Sequence, residues 1–169
     1  MINRHAASIL LLASAILLAS GKVAASHHVT SCFEQAGARY RISPLLLWSI
    51  AKTESNFNPR AINRSNANKT YDIGMMQINS AWLSTLQRYN ISEQDLYDAC
   101  TSIHVGAWIL AQNVARHGYT WKAVGAYNAV TPSKQAKYAA KVLKTANEVA
   151  GSAPAVPSVR EAPRIRVQG

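Results

Sequence analysis

The sequence predicts a mostly helical α+β domain with a small β element, covering about residues 30 to 150. Three observations carry this reading. Apolar residues recur at helical spacing through most of that span. Helix boundaries are marked, by Ser43-Pro44 at one start and Gly118 at one stop. One polar, Asn-rich stretch, Asn63 to Thr70, breaks the helical pattern, and Tyr71 to Ile78 after it suits a short, weak strand or hairpin.

The elements follow in order. A first helix is expected over Cys32 to Tyr40. Ser43 then offers a capping hydroxyl and Pro44 a pre-set φ at the first helical position, so a second helix runs from Pro44 to about Ser55. Asn58-Pro59 ends that region. Ala81 to Tyr89 reads as another helix. Ser92-Glu93-Gln94-Asp95 has the form of a capping box with Asp at the fourth place. Thr101 to Arg116 is amphipathic and stops at Gly118, and Trp121 to Tyr127 and Ser133 to Val149 supply two further helices. From about Gly151 the periodicity is lost and prolines and arginines take over, so 151–169 is expected to be a disordered basic tail.

The N-terminus carries Arg4 and then a nearly unbroken apolar run from Ala6 to Ser20, too short for a comfortable membrane span. Small residues Val23-Ala24-Ala25-Ser26 follow. This is the pattern of a Sec leader over residues 1–25, with the domain at 26–150 and a periplasmic destination; an uncleaved anchor is the alternative. The formal net charge is +10, and losing Arg4 and Lys22 with the leader lowers it by two. A basic chain suits an anionic partner such as nucleic acid, an acidic membrane surface or an acidic wall polymer, or merely a solvated surface. No nucleic-acid motif accompanies the scattered charges. No phosphate loop, cofactor motif or metal-ligand spacing is present, so neither cofactor nor metal is expected. Cys32 and Cys100 are expected to pair in an exported chain, with two free buried thiols as the alternative.

Glu54 is the candidate catalyst. It is one of only eight acidic residues and follows Leu45, Leu46, Leu47, Trp48 and Ile50. Partial burial raises a carboxyl's pKa, and a place in the last helical turn does so again through the negative end of the dipole. Both effects favour a carboxyl that keeps its proton near neutral pH. By position alone a surface Glu at a frayed helix end is the better fit.

Three blocks decide the context. Glu54-Ser55-Asn56-Phe57-Asn58-Pro59, then Gly74-Met75-Met76-Gln77, then Ala126-Tyr127-Asn128 resemble the signature blocks of bacterial lytic transglycosylases with the lysozyme-like fold. The likeness is greatest to the small exported members that accompany type III secretion, type IV pilus and conjugation machines. It covers about Cys32 to Val149, and Tyr138-Ala139-Ala140-Lys141-Val142 is similar to that family's last helix. One departure is Val130 after Ala129, where the family continues Ala-Gly. The central stretch, with Asp72 before Gly74 and Gln77-Ile78-Asn79-Ser80-Trp82 after, also resembles chicken-type lysozyme, in which the position of Asp72 is the second catalytic carboxylate.

The resemblance implies a lysozyme-like fold with the β element beside a cleft, and cleavage of peptidoglycan glycan strands by a monomer serving an envelope-spanning secretion or pilus machine. It implies Glu54 as acid and base. Asp72 is then a second carboxylate, an electrostatic helper, or a turn residue bonding backbone amides. Gln77 lines the cleft; Met76 packs on a sugar face or in the core. Tyr127 is expected to bond near Glu54 and hold it. Asn128 binds substrate or caps its loop, Ser55 supports the helix end, and Tyr138 lines the cleft from the last helix. Of Trp48, Trp82, Trp108 and Trp121, Trp82 is the candidate for sugar stacking and the other three read as core. Two further readings stay open: a muramidase hydrolysing the same bond with Glu54 and Asp72, and a wall-binding assembly factor without turnover.

Overall fold

The computed structural model describes residues 28–152. The expected leader lies outside them, as does the expected tail beyond Gly151 and Ser152, which close the last helix. The order is α1 (28–40), α2 (Pro44–Ser55), β1 (Ile62–Asn63), β2 (Asp72–Ile73), β3 (Ile78–Asn79), a 3₁₀ turn (Ser80–Trp82) and α3 (Leu83–Gln87). A second 3₁₀ turn (Gln94–Tyr97), α4 (Ala99–His117), α5 (Trp121–Asn128) and α6 (Pro132–Ser152) follow.

The buried face of α2 (Leu47, Ile50, Ala51) and that of α4 (Ile103, Ala107, Leu110) share one apolar core with Met76, Ile78 and Val142. Burying side chains of this size stabilises by about 1.5–3 kcal/mol each. The sheet is antiparallel in the order β1-β2-β3, with Asn63 opposite Asp72 and Asp72 opposite Asn79. With two residues per strand it has little ladder of its own, and side chains bridge it instead. Asp72 Oδ2 accepts from Asn63 Nδ2 (3.1 Å) and Asn66 Nδ2 (3.0 Å), and its Oδ1 from Asn79 Nδ2 (2.7 Å).

Local chemistry explains the boundaries. Pro44 opens α2 as expected, but the Ser43 hydroxyl makes no capping bond; its backbone N–H donates to the Tyr119 hydroxyl instead (3.0 Å). Asn56 ends α2 in the left-handed region (φ 52°), and its N–H caps Ala51 and Lys52 carbonyls. Asp98 caps α4 through the Thr101 N–H, and Gly118 (φ 71°) stops it. The helix expected over Ala81 to Tyr89 is shorter, preceded by a 3₁₀ turn that Asn79 caps through the Ala81 N–H. Ser92 donates both its N–H and its hydroxyl to Asp95, yet the box opens a 3₁₀ turn rather than an α-helix. Cys32 and Cys100 are bonded, tying α1 to the first turn of α4.

Two glycines set close approaches. Gly74 turns with φ 73° against the Leu96 carbonyl, where a Cβ would lie 2.1 Å from that oxygen. Gly106 lets α4 press onto the second block: a Cβ there would meet Met76 Cε at 2.8 Å and the Tyr127 hydroxyl at 2.9 Å.

Candidate active site

Glu54 stands in the last turn of α2, half-buried, at the wall of a polar cleft of about 630 Å³. Asp72, Gln77, Asn79 and Trp82 border the same cleft from the β side, and Tyr127, Asn128, Val130 and Lys134 from the α5–α6 side. A second cavity of about 530 Å³, between α1, α3 and α4, is more apolar and has no carboxylate in its lining.

Among the described residues the Glu54 carboxyl has one direct side-chain partner, the Tyr138 hydroxyl of α6, which donates to Oε1 at 2.5 Å. Desolvation raises the Glu54 pKa from 4.5 to about 7. The Tyr138 bond opposes this by favouring the carboxylate, the Asp72 charge adds to it, and Lys141 opposes it more weakly. The outcome is a carboxyl whose two forms are both populated near neutral pH, the property required of a group that gives and then takes a proton.

Tyr127 does not make the contact with Glu54 expected for it. Its hydroxyl donates to the Met76 carbonyl at 2.9 Å, and its ring stacks on that of Tyr138 (6.5 Å between centroids). Tyr127 therefore supports the tyrosine that holds Glu54. Burial drives both phenols well above their ordinary pKa, so each remains a neutral donor.

Met76 is wholly buried, so its side chain belongs to the core and not to a sugar face. Its backbone is what matters: the carbonyl takes the Tyr127 bond, and the N–H donates to the Ser102 hydroxyl on α4 (3.1 Å). Ser55 is likewise set back from the cleft lining and donates to the Met75 carbonyl (2.7 Å), fastening the end of α2 to the second block. Gln77 faces the cleft with a left-handed backbone (φ 48°) and donates its Nε2 to the Gly74 carbonyl (2.9 Å). Its Oε1 has no partner among the described residues and is left for a ligand N–H or hydroxyl. Asn128 ends α5 at the cleft edge.

Asp72 sits in the cleft wall, but both oxygens are committed to the three asparagine amides of the sheet. It acts on Glu54 through its field. Trp82 lines the cleft as expected and packs edge-on against Trp108 (5.3 Å). Trp121, read as core, is 46% exposed at the start of α5. Val130 is 93% exposed and is not among the positive-φ residues, so the backbone there does not call for the glycine it replaces.

Ser102 and Gly106 escaped the sequence reading. Both lie on the α4 face toward Met76, and small residues recurring at i and i+4 within an otherwise large-residue helix face are the signal that could have found them. Among the described residues one cluster has three metal-type donors: His28 beside Cys32 and Cys100, whose sulfurs are already bonded to each other.

A protonatable carboxyl at a helix end, beside a Gly-Met-Met-Gln turn and an Ala-Tyr-Asn helix end around a polar cleft, is a lysozyme-like architecture. Residues 31–151 match the family described as "Transglycosylase SLT domain", and the chain belongs to that family. It is similar to "Invasion protein IagB" of Salmonella typhimurium (strain SL1344), 40% identical over 125 residues, which span 71% of this chain and 78% of the relative. It is similar also to "Protein IpgF" of Shigella flexneri (42% over 107 residues, 63% of this chain and 70% of the relative). A third relative is "X polypeptide" of Escherichia coli (strain K12), 42% identical over 103 residues and 60% of each chain.

Proposed function

We propose that this protein is a peptidoglycan lytic transglycosylase cleaving the β-1,4 bond between N-acetylmuramic acid and N-acetylglucosamine, with Glu54 as its single acid and base. One observation carries the reading. The cleft presents one carboxyl poised near neutrality, while the oxygens of the other carboxylate are taken up by Asn63, Asn66 and Asn79.

The chemistry balances on that one group. Protonated Glu54 donates its proton to the bridging oxygen as the muramoyl C1–O bond breaks, and the bond pair leaves on the glucosamine 4-oxygen. The muramoyl N-acetyl oxygen closes on C1 and carries the positive charge as an oxazolinium ion, a substrate-assisted course. Glu54, now a carboxylate, takes the proton from the muramoyl 6-hydroxyl. That oxygen attacks C1, expels the acetamido oxygen and leaves a 1,6-anhydro end. Glu54 finishes protonated, and no water is consumed. Tyr138 bonds the carboxylate form and so eases the first transfer.

We extend the proposal to place. The chain acts in the periplasm after Sec export, opening the wall locally for a secretion, pilus or conjugation apparatus. The kinship with a protein named for invasion supports that setting.

Digestion of purified sacculi with mass analysis of the products is the test. Anhydro ends, lighter than reducing ends by one water, are expected, and Glu54→Gln is expected to release nothing. Reducing ends alone would point to hydrolysis with Asp72. Binding without release by the wild-type chain would point to an assembly factor.

A further inference from the structure

Four lysines of α6, Lys134, Lys137, Lys141 and Lys144, are all exposed. Their spacing of three, four and three residues returns them to one face of the helix, over about 15 Å of its length. The ridge starts at the cleft, where Lys134 is part of the lining. It then runs beside Tyr138, whose hydroxyl rests on Glu54, and past Thr145, which meets Thr53 of α2 at 3.3 Å. It is therefore fixed against the catalytic end of α2. Among the described residues Lys134, Lys137 and Lys141 form no ion pair; the acid on this face, Glu148, lies beyond them and meets Lys144 at 4.0 Å. Lys134 and Lys137 thus continue outward from the cleft edge without an acidic partner, and Lys141 beside them meets an acid only through the field of Glu54.

We infer that the Lys134–Lys137–Lys141 ridge binds the carboxylates of the peptide stems carried by the muramic acid residues of wall glycan. The inference rests on the cleft being a wall-glycan site. The chemistry suits it. A stem leaves the sugar through the lactyl ether and presents several free carboxylates within a few residues. An exposed ammonium attracts each one modestly, and three in a row add up. Glycan without stems keeps only the lactyl carboxylate of each muramic acid, a single charge held close to the sugar ring.

Binding is measured in the Glu54→Gln protein, so that turnover does not consume the ligand. Glycan chains carrying stems are compared with the same chains stripped by an amidase. The stem-bearing chains are expected to bind about tenfold more tightly at low salt, with the preference shrinking at high salt. In Lys134→Gln/Lys137→Gln/Lys141→Gln, built on Glu54→Gln and checked for an unchanged melting temperature, the two ligands should bind alike. Equal binding in the parent, a preference that survives the triple change, or binding of neither ligand overturns the inference. If wild-type protein cleaves neither preparation while the ridge-dependent preference stands, the enzymatic reading alone has failed.

Discussion

Tyr138 donates its hydroxyl to Glu54 Oε1 at 2.5 Å, joining two helices across 84 positions of sequence. The bond favours the ionised carboxyl and so works against the burial that raises its pKa. Tyr138→Phe should move the Glu54 pKa above 7 and push the alkaline limb of the activity profile to higher pH. The rate should drop about ten- to a hundredfold, since a hydrogen bond to a charged group is worth about 1.5–3 kcal/mol. An unshifted limb in a pH series on sacculi would remove Tyr138 from the tuning of the acid.

The raised pKa also fixes the sign of a stability effect. The folded chain binds the Glu54 proton more tightly than the reference value of 4.5 allows, because its pKa there is about 7. Stability is therefore undiminished below about pH 4.5 and falls as pH rises through 7. The loss amounts to roughly 2–3 kcal/mol after allowance for partial exposure. Glu54→Gln carries no charge at any pH. Its melting temperature should exceed the wild-type value at pH 8 and converge on it near pH 4. A gap that stays the same at both pH values would contradict the burial argument.

Asp72→Asn separates field from chemistry. Removing the charge takes away a contribution that raises the Glu54 pKa, so the alkaline limb should move to lower pH. The new amide also meets three amide donors with fewer acceptor sites, at a cost of about 1–3 kcal/mol in stability. At pH 5.5 and low temperature, release of anhydro products should stay within several-fold of wild type. Loss of all turnover in a protein that is still folded would instead make Asp72 a participant.

Gly106→Ala tests the α4 contact. The added methyl would stand 2.8 Å from Met76 Cε and 2.9 Å from the Tyr127 hydroxyl. Overpacking of this kind costs about 1–3 kcal/mol. Thermal unfolding should register that loss, and activity should drop further than stability explains as Tyr127 is displaced. Wild-type melting and rate together would show that the contact yields freely.

The helical part of the fold was open to reading because its signals are local. Pro44 sets its own φ, Gly118 tolerates φ 71°, and the core residues of α4 repeat at helical spacing. Glu54 was identifiable through the three motif blocks, since its position at the end of α2 alone fits a surface Glu as well. What escaped was long-range. Nothing near Tyr138 in sequence says that its hydroxyl, and not that of Tyr127, reaches Glu54; the two tyrosines exchange roles only once α5 and α6 are packed together. The commitment of Asp72 to three asparagines depends on a sheet of two-residue strands, below the length at which alternation can be seen. Trp121 has the apolar company of a core residue, yet the start of α5 leaves it in solvent.

The bond between Cys32 and Cys100 closes a ring of chain that contains Glu54, Asp72 and Gln77 but leaves out Tyr127 and Tyr138. That stretch of chain is synthesised before α5 and α6. Until the last two helices emerge and dock, the carboxyl has neither its phenolic partner nor the cover that holds its proton. The carboxyl is completed by α5 and α6, so a product truncated before them, however well cross-linked, would carry Glu54 without the cover and the phenol that set its pKa.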